Sequence, residues 1–183
     1  MTLRVEELRY DRLARSIAEV DRARFPGADT LAQETSLTLI RAFGTLNGLI
    51  DEQLATFGLS RPRLHVLAFL NRAGNEVRMT DIGRWLGVNK ANVTRLVDGL
   101  ERDGLVVRIA SVSDRRTILV NITHAGRQRL ETALPHHVEH LSDLLEPLSK
   151  DEKAMLIHLL ARAREAMLAA SGDRQLPEPA FPV

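Results

Sequence analysis

The chain has 183 residues, a length that fits one large domain or two small ones. Hydrophobic residues make up 44% of it, which is enough to bury a core. Only 4% of the residues are aromatic, so the core should be aliphatic. Cysteine is absent, which excludes disulfides, thiolate zinc sites and thiol redox sensing within the chain. The formal net charge of +1 gives no general argument for nucleic-acid binding, so any such argument rests on local charge.

Helical periodicity marks the N-terminal part of the chain. Residues 6–25 have apolar side chains at helical spacing and Pro26-Gly27 ends the segment, so we predict an amphipathic helix there. Asp29 is placed to cap a second helix over about 30–56. Its apolar residues form a broad band, namely Leu31, Leu37, Ile40, Phe43, Leu46, Leu49, Ile50 and Leu54.

A third helix is predicted over 61–73. Ser60 stands at its N-cap, and Pro62 lies in the first turn, where the missing N–H of proline costs nothing. Its expected buried side is Leu64, Leu67 and Leu70. Gly74-Asn75 then turns the chain, and residues 76–78 can pair as a short strand with a later hairpin.

Residues 79–123 have the pattern of a helix-turn-helix followed by a β-hairpin. Thr80 is predicted to cap the first helix through its hydroxyl, and Gly87 provides the break before a second helix that begins near Asn89. The apolar residues of the second helix fall at i, i+3, i+4 and i+7, and they are Val93, Leu96, Val97 and Leu100. Asp103-Gly104 ends this helix, because glycine tolerates a left-handed C-cap.

Two alternating runs after the second helix are typical of half-buried strands. The residues expected to face one way are Leu105, Val107 and Ile109 in the first run, and Ile118, Val120 and Ile122 in the second. The loop between them, 111–116, is polar and basic. A helix-turn-helix with a basic hairpin is a winged helix, whose second helix enters a major groove of DNA.

Two long helices are predicted at the C-terminal end. Thr123 starts the first, which continues to about residue 146, and the Ser149-x-x-Glu152 capping box starts the second, over roughly 150–170. Both helices are too apolar to stand alone. Residues 171–183 contain three prolines and no helical period, so we expect disorder there.

Several ordered motifs resemble those of the MarR family of winged-helix transcriptional regulators, and the likeness covers roughly residues 30–170. The matching segments are 93–98, Leu-Glu-Arg-Asp-Gly-Leu-Val at 100–106, Asp114-x-Arg116, Thr123-x-x-Gly126 and 148–152. The resemblance implies an α+β, mostly helical fold, in which a winged helix-turn-helix carries long N- and C-terminal dimerisation helices.

The same resemblance implies a division of the chain and a homodimer, because in the family the long helices interlock with a second copy. The expected parts are an extra N-terminal amphipathic helix (1–28), a dimerisation helix (29–57), the winged helix-turn-helix DNA-binding domain (58–123), C-terminal dimerisation helices (124–170) and a disordered tail (171–183).

The first turns of the second helix carry side chains suited to reading DNA. Asparagine can bond adenine bidentately, and arginine or lysine can do so with guanine. The predicted DNA contacts are Asn89, Lys90, Asn92, Thr94 and Arg95, with Thr94 on a phosphate. Arg102 and Arg108 extend the local basic cluster. The alternative interpretation is a solvated charged face that touches only phosphate or nothing.

The wing tip is the second predicted DNA contact, through Asp114, Arg115 and Arg116. The resemblance implies that Arg116 reaches into the minor groove and that Asp114 orients it. Narrow minor grooves concentrate negative potential and attract arginine. The alternative is an ion pair that stiffens the loop, and both can hold at once.

The histidines offer candidate sites of another kind. His136 and His140 share one helical face and imidazole suits zinc, but two histidines make half a site, so we predict structural histidines and no metal. His65 lies beside the apolar side of its helix and is the candidate residue for an effector pocket, because relatives place effectors between the dimer helices and the winged domain. A hydrogen-bonded structural histidine is the alternative there.

The sequence therefore predicts a sequence-specific DNA-binding transcriptional regulator, a ligand-responsive repressor that acts as a homodimer on a pseudo-palindromic double-stranded operator. The expected effector is a phenolic or other aromatic acid. Two alternatives stay open: a zinc-responsive regulator, and a winged-helix protein–protein interaction module without DNA binding.

Other classes of protein are not favoured. There is no P-loop, G-x-S-x-G turn, H-E-x-x-H motif or glycine-rich dinucleotide turn, so we predict no enzyme and no cofactor. The N-terminal residues are charged throughout, unlike a signal peptide, and no apolar run approaches the roughly 20 residues that cross a bilayer. We therefore expect a cytoplasmic protein.

Overall fold

The computed structural model describes residues 11–111 and 117–170. Its elements there are α1 (Arg12–Arg24), α2 (Thr30–Ala55), α3 (Arg61–Ala73), β1 (Val77–Arg78), α4 (Met79–Leu86), α5 (Lys90–Arg102), β2 (Val106–Ala110), β3 (Ile118–Ile122), α6 (His124–Leu144) and α7 (Lys150–Ala170). The predicted α+β, mostly helical fold class is confirmed. The chain divides into two units, Met1–Leu49 and Ile50–Val183.

In the first unit, polar contacts fix the starts of α1 and α2. Asp11 caps α1 by accepting from the backbone N–H groups of Leu13 and Ala14 at 3.0 and 3.1 Å. Arg41 Nε lies 2.6 Å from Asp11 Oδ2, and this hydrogen bond holds the pKa of Asp11 below its ordinary value. Asp29 caps α2 through its side chain, as predicted.

The second unit contains a three-stranded antiparallel sheet in the order β1-β3-β2. Val77 pairs with Val120, so the predicted short strand does join the wing. At the other edge of β3, Val106 of β2 pairs with Ile122. Because directly opposed residues share a face, these four valine and isoleucine side chains form one buried surface. Ile118, expected to face the same way, is exposed near the wing tip.

The predicted register of the first wing strand is wrong by one residue. The strand begins at Val106, which is buried, while Val107 is exposed. Leu105 is buried too, but within the turn that ends α5, where its N–H donates to the carbonyl of Leu100 at 2.9 Å. The alternation therefore starts one residue after the point assumed from the sequence, and Ile109 is only half-buried.

The helix ends around the helix-turn-helix differ in part from expectation. Arg78, still extended as the last residue of β1, occupies the N-cap of α4, so the predicted cap by Thr80 is wrong. Ser60 stands at the N-cap of α3 as predicted, but its side chain makes no capping hydrogen bond. Gly87 ends α4 with φ of 66°, the left-handed conformation that favours glycine.

The caps predicted for the C-terminal helices are confirmed. Thr123 Oγ1 accepts from the N–H of Gly126 at 3.0 Å at the start of α6. Ser149 and Glu152 cap α7 reciprocally, with donor–acceptor distances of 2.8 and 3.3 Å. The α6 helix continues through Pro135.

Helix α7 has no buried residue although it is rich in apolar side chains. Its exposed apolar residues are Met155, Leu156, Ile157, Leu159, Leu160 and Met167. An exposed apolar surface of this extent marks an interaction site. Within the described ranges, none of the helices combines the length and apolar character required to cross a membrane.

Gly126→Ala is expected to destabilise the fold. A Cβ at this position would lie 2.1 Å from the carbonyl oxygen of Leu105 and 2.8 Å from Cγ1 of Ile122, so α6 must move away from the wing. Overpacking of this kind costs about 1–3 kcal/mol of the free energy of unfolding. Urea denaturation at a fixed protomer concentration measures it.

Gly99→Ala is the matched control. A Cβ at Gly99 has no atom within 4 Å, and the residue lies inside α5. Replacing a helical glycine by alanine should therefore raise the free energy of unfolding by about 0.5–1 kcal/mol. Equal destabilisation by both substitutions would contradict the packing described for Gly126.

Candidate DNA-binding site

The N-terminal end of α5 is fixed by a side-chain cap and by close packing on α4. The side chain of Asn89 accepts from the N–H of Asn92 at 3.0 Å. A Cβ at Gly83 of α4 would lie 3.0 Å from Cγ2 of Val93, so glycine permits the close approach of the two helices. The buried face predicted for α5 is confirmed at Val93, Val97 and Leu100.

The opposite side of α5 is polar. Lys90, Arg95 and Arg102 are exposed there. The Nη2 group of Arg95 donates to Oδ1 of Asn92, one turn earlier, so the two side chains support each other. The hydroxyl of Thr94 donates to the carbonyl of Lys90 at 3.0 Å. Because a guanidinium has five N–H donors, Arg95 has further donors for the edge of a base.

The structure brings the five predicted contact residues of α5 together in its cap and first two turns. Asn89 uses its side-chain oxygen as the cap, which leaves its amide nitrogen as a donor. The three predicted contacts of the wing tip, Asp114, Arg115 and Arg116, lie outside the described residues.

Arg108 joins the wing to α5. Its guanidinium lies 2.7 Å from Oδ1 of Asp98 and 2.7 Å from Oε2 of Glu101, and its backbone N–H donates to Glu101 at 3.1 Å. The side chain is only 22% exposed. Arg108 is therefore neutralised by α5 and does not add to the basic cluster expected from the sequence. Two carboxylates three residues apart on one helix were the signal for this contact.

Arg63 of α3 holds the other end of α5, a role that sequence reasoning missed. Its guanidinium forms an ion pair with Asp103 and donates to the carbonyls of Gly99 and Gly58 at 3.4 and 3.3 Å. The hydrogen bond from Arg63 holds the pKa of Asp103 below its ordinary value. No local pattern marks the contact, because its partners on α5 lie 36 and 40 residues along the chain.

Comparison with known proteins decides the family. Residues 57–117 match the sequence model of the MarR family. The chain is also 32% identical over 137 residues to the HTH-type transcriptional repressor YetL of Bacillus subtilis (strain 168), a match that covers 74% of this chain and 82% of YetL. The chain belongs to the MarR family.

Solved structures agree with this assignment. A probable transcriptional regulator from Pseudomonas aeruginosa is 28% identical with a TM-score of 0.65, over 73% of this chain and 98% of that one. A cysteine-to-serine mutant of MarR from E. coli, complexed with operator DNA, is 26% identical with a TM-score of 0.62, over 69% of this chain and 91% of that one.

Membership of the MarR family makes this chain a DNA-binding transcriptional regulator, as the sequence predicted. The relatives are named transcriptional regulators and repressors, so neither a zinc-responsive regulator nor a protein-interaction module without DNA binding is favoured. The family is one of regulators rather than of enzymes.

The structure separates the histidines of α6. His136 is exposed and stacks on Phe57, with ring centroids 5.5 Å apart, whereas its neighbour His137 is only 6% exposed. His140 is half-buried. In the part of the chain that the structure describes, no group of three or more histidine, cysteine, aspartate or glutamate side chains is placed to hold a metal ion. Sequence reasoning missed His137, since the period of α6 alone does not show which side packs inward.

His65 is half-buried against aromatic rings. Its centroid lies 6.0 Å from Trp85 of α4 in an edge-on arrangement, and Phe69 stacks on Trp85 at 4.9 Å. Burial, followed by the nearby charges of Arg61 and His137, lowers the pKa of His65. Its place in an effector pocket stays a prediction.

Arg108→Gln tests whether this residue stabilises the fold or contacts DNA. Loss of the charge-assisted hydrogen bonds to α5 should lower the free energy of unfolding by about 1–2 kcal/mol. The slope of log K against log salt for DNA binding should match that of the wild type, because no phosphate contact is lost. A slope smaller by about 1 would instead place Arg108 on a phosphate. Arg102→Gln, at an exposed arginine of α5, is the control and should change stability little.

Proposed function

We propose that this chain is a repressor that binds a pseudo-palindromic operator as a homodimer, with α5 of each copy in a major groove. The exposed face of α5 carries the proposal, because Asn92 and Arg95 support each other beside Lys90 on a helix that is held at both ends. Arginine matches the O6 and N7 acceptors of guanine and asparagine matches adenine, so this face suits base edges.

The wing is proposed as the second contact. Arg116 would enter the adjacent minor groove, Asp114 would orient it, and Arg115 would lie on the backbone nearby. The attraction of arginine to narrow minor grooves supports this proposal. Asn89 and Thr94 complete the predicted set at the start of α5, with Thr94 on a phosphate.

A homodimer is supported by the exposed apolar surface of α7. In a two-fold dimer, the same surface of both copies forms the interface. The apolar surface of α7 can therefore be buried against α7 of the second copy. We assign residues 29–57 and 124–170 to the dimer helices. Two recognition helices in successive major grooves would then stand about one DNA turn apart, roughly 34 Å, and read half-sites about 10 bp apart.

The mode of regulation follows by similarity. YetL is named a repressor, and the E. coli MarR mutant is complexed with operator DNA, which together favour repression through an operator. A phenolic or other aromatic acid remains the predicted effector, acting through a coupling free energy between its site and the operator. Such a protein works in the cytoplasm, where bacterial DNA lies.

Fluorescence anisotropy of the purified protein on the DNA upstream of its own gene, and on a scrambled duplex, tests the proposed function. We expect tight, sequence-dependent binding that weakens steeply with salt, because phosphate neutralisation releases counterions. Equal and weak binding to both duplexes would contradict operator recognition.

Arg95→Ala should weaken operator binding by about 1–3 kcal/mol and relax the preference for one base. The control is Arg164→Ala, which removes an exposed arginine from α7. The same anisotropy assay compares the two variants at one salt concentration. Wild-type affinity in Arg95→Ala would exclude this residue as a reader.

Leu159→Asp should shift the protein towards monomer, because a charge on the apolar surface of α7 opposes its burial. His158→Asp places the same charge on the neighbouring exposed, polar position and is the control. Sedimentation equilibrium measures both dissociation constants. A dimer that resists Leu159→Asp would place the interface elsewhere.

A further inference from the structure

Three imidazoles meet where α6 packs on α3. His137 is 6% exposed, and its Nδ1 is buried with no hydrogen-bond partner within residues 11–111 and 117–170. The Nε2 atom of His140, one turn further along α6, is in the same situation. His65 reaches them from α3, close enough for its charge interaction with His137 to be felt. A buried nitrogen without a partner has lost its hydrogen bonds to water and has no other hydrogen bond in their place, which is unusual in a native core.

The groups that face this cluster carry positive charge or none. His137 faces His140 on its own helix and His65 across the packing, while His65 faces Arg61 on α3 and the uncharged Trp85 on α4. The nearest carboxylate in sequence, Glu139, lies 4.0 Å from the exposed His136 instead. Among the described residues, no carboxylate contributes to the shifts at His65 or His137.

The surroundings of His65 and His137 therefore favour their neutral imidazoles. Burial is the main cause that lowers the pKa of both His65 and His137, and the neighbouring histidines and Arg61 lower it further. Each proton taken up would place a cation in an apolar environment beside other cations. Because the folded-state pKa lies below the ordinary value of about 6.5, this packing is fully stable above that pH and loses stability as pH falls below it.

The position of the cluster connects it to the DNA-binding helices. His65 contacts Trp85 of α4, and α4 packs closely on α5 where Gly83 meets Val93. On the other side, His137 belongs to α6, which the proposed function assigns to the dimer. A change at the cluster thus acts on the junction between the dimer helices and the helix-turn-helix.

We propose that His65 and His137, packed beside His140, form an acid sensor that weakens operator binding when His65 and His137 take up protons. The proposal rests on the proposed function and adds protons as an input beside any small-molecule effector. In neutral solution the three rings pack between α6 and α3. In mildly acidic solution the repulsion between protonated His65 and His137 opens this packing and shifts α4 and α5 away from the spacing that the operator requires.

The direction of the effect is diagnostic. Acid adds positive charge to a protein, which by itself strengthens attraction to the phosphate backbone. The acid sensor has the opposite effect, because the protonated cluster disfavours the conformation that binds DNA. Weaker binding at low pH is therefore not expected from bulk charge.

The test measures anisotropy of the full chain on its upstream DNA between pH 8.0 and 5.5 at constant ionic strength. We expect the Kd for the operator to rise as the pH falls below about 6.5. The rise should be on the order of tenfold per pH unit for each proton that the protein must release before it binds DNA. His137→Gln removes a titrating ring and should flatten this rise. His136→Gln, at the exposed neighbour, is the matched control and should keep the wild-type profile.

Trp85 supplies a second measurement that needs no DNA. It is the only tryptophan of the chain and lies beside His65, and a protonated imidazole quenches indole fluorescence. Its emission should fall over the same pH range while circular dichroism shows intact helices. His65→Gln should abolish this fall, which keeps the proposal testable if His137→Gln does not fold.

The outcomes separate the two proposals. Absence of sequence-dependent binding at pH 8.0 would overturn the operator function and the sensor's role in it. Specific binding that is unchanged or stronger in acid, or equal pH profiles for His137→Gln and His136→Gln, would overturn the sensor alone. Release that requires added Zn²⁺ at pH 7.5, with no response to acid, would overturn it as well.

Discussion

The orientation of α5 depends on two arginines that hold it from outside. A 13-residue helix is marginal in isolation, so α5 depends on its packing against α4 and on contacts from outside the helix. Arg108 reaches from β2 to Asp98 and Glu101, and Arg63 reaches from α3 to the C-terminal end at Asp103. These charge-assisted bonds leave the first two turns exposed in one orientation, as a surface for base recognition requires.

Much of the fold could be predicted because its signals are local. The helices begin at caps that neighbouring residues identify, such as Asp29, Thr123 and Ser149. Apolar spacing shows the buried faces of α3 and α5. The predicted helix caps and strand starts were wrong where a neighbouring segment of the structure determined them. The extended Arg78 of β1 replaced Thr80 as the cap of α4, and the turn after α5 moved the start of the next strand by one residue.

The candidate site was predictable to the same extent. Residue type and position placed Asn92 and Arg95 on the polar face of α5. The partners that hold this helix were not predictable, because the contacts of Arg63 depend on how distant segments pack. Arg108 was misread as part of the basic cluster, although the two carboxylates that neutralise it, Asp98 and Glu101, stand three residues apart on α5. The burial of His137 likewise became visible only once α6 lay against α3.

The two proposals together give helix α6 two roles. Most of its surface remains available for a partner copy, while His137 points into the packing with α3. A buried imidazole nitrogen that has no hydrogen-bond partner among the described residues costs stability relative to an apolar side chain, so the presence of His137 calls for a functional reason. The proposed acid sensor provides one, because protonation there would change the relation between the proposed dimer helices and the helix-turn-helix.

Replacing the guanines of the operator duplex by 7-deazaguanine tests directly the proposal that Arg95 on α5 reads guanine in the major groove. The modified base keeps its Watson–Crick pairing but lacks the N7 acceptor that arginine uses. The affinity of wild-type protein and of Arg95→Ala for both duplexes forms a double-mutant cycle. Wild-type protein should bind the modified duplex more weakly than the unmodified one, whereas Arg95→Ala should bind the two nearly equally. Equal losses for both proteins would contradict the proposal.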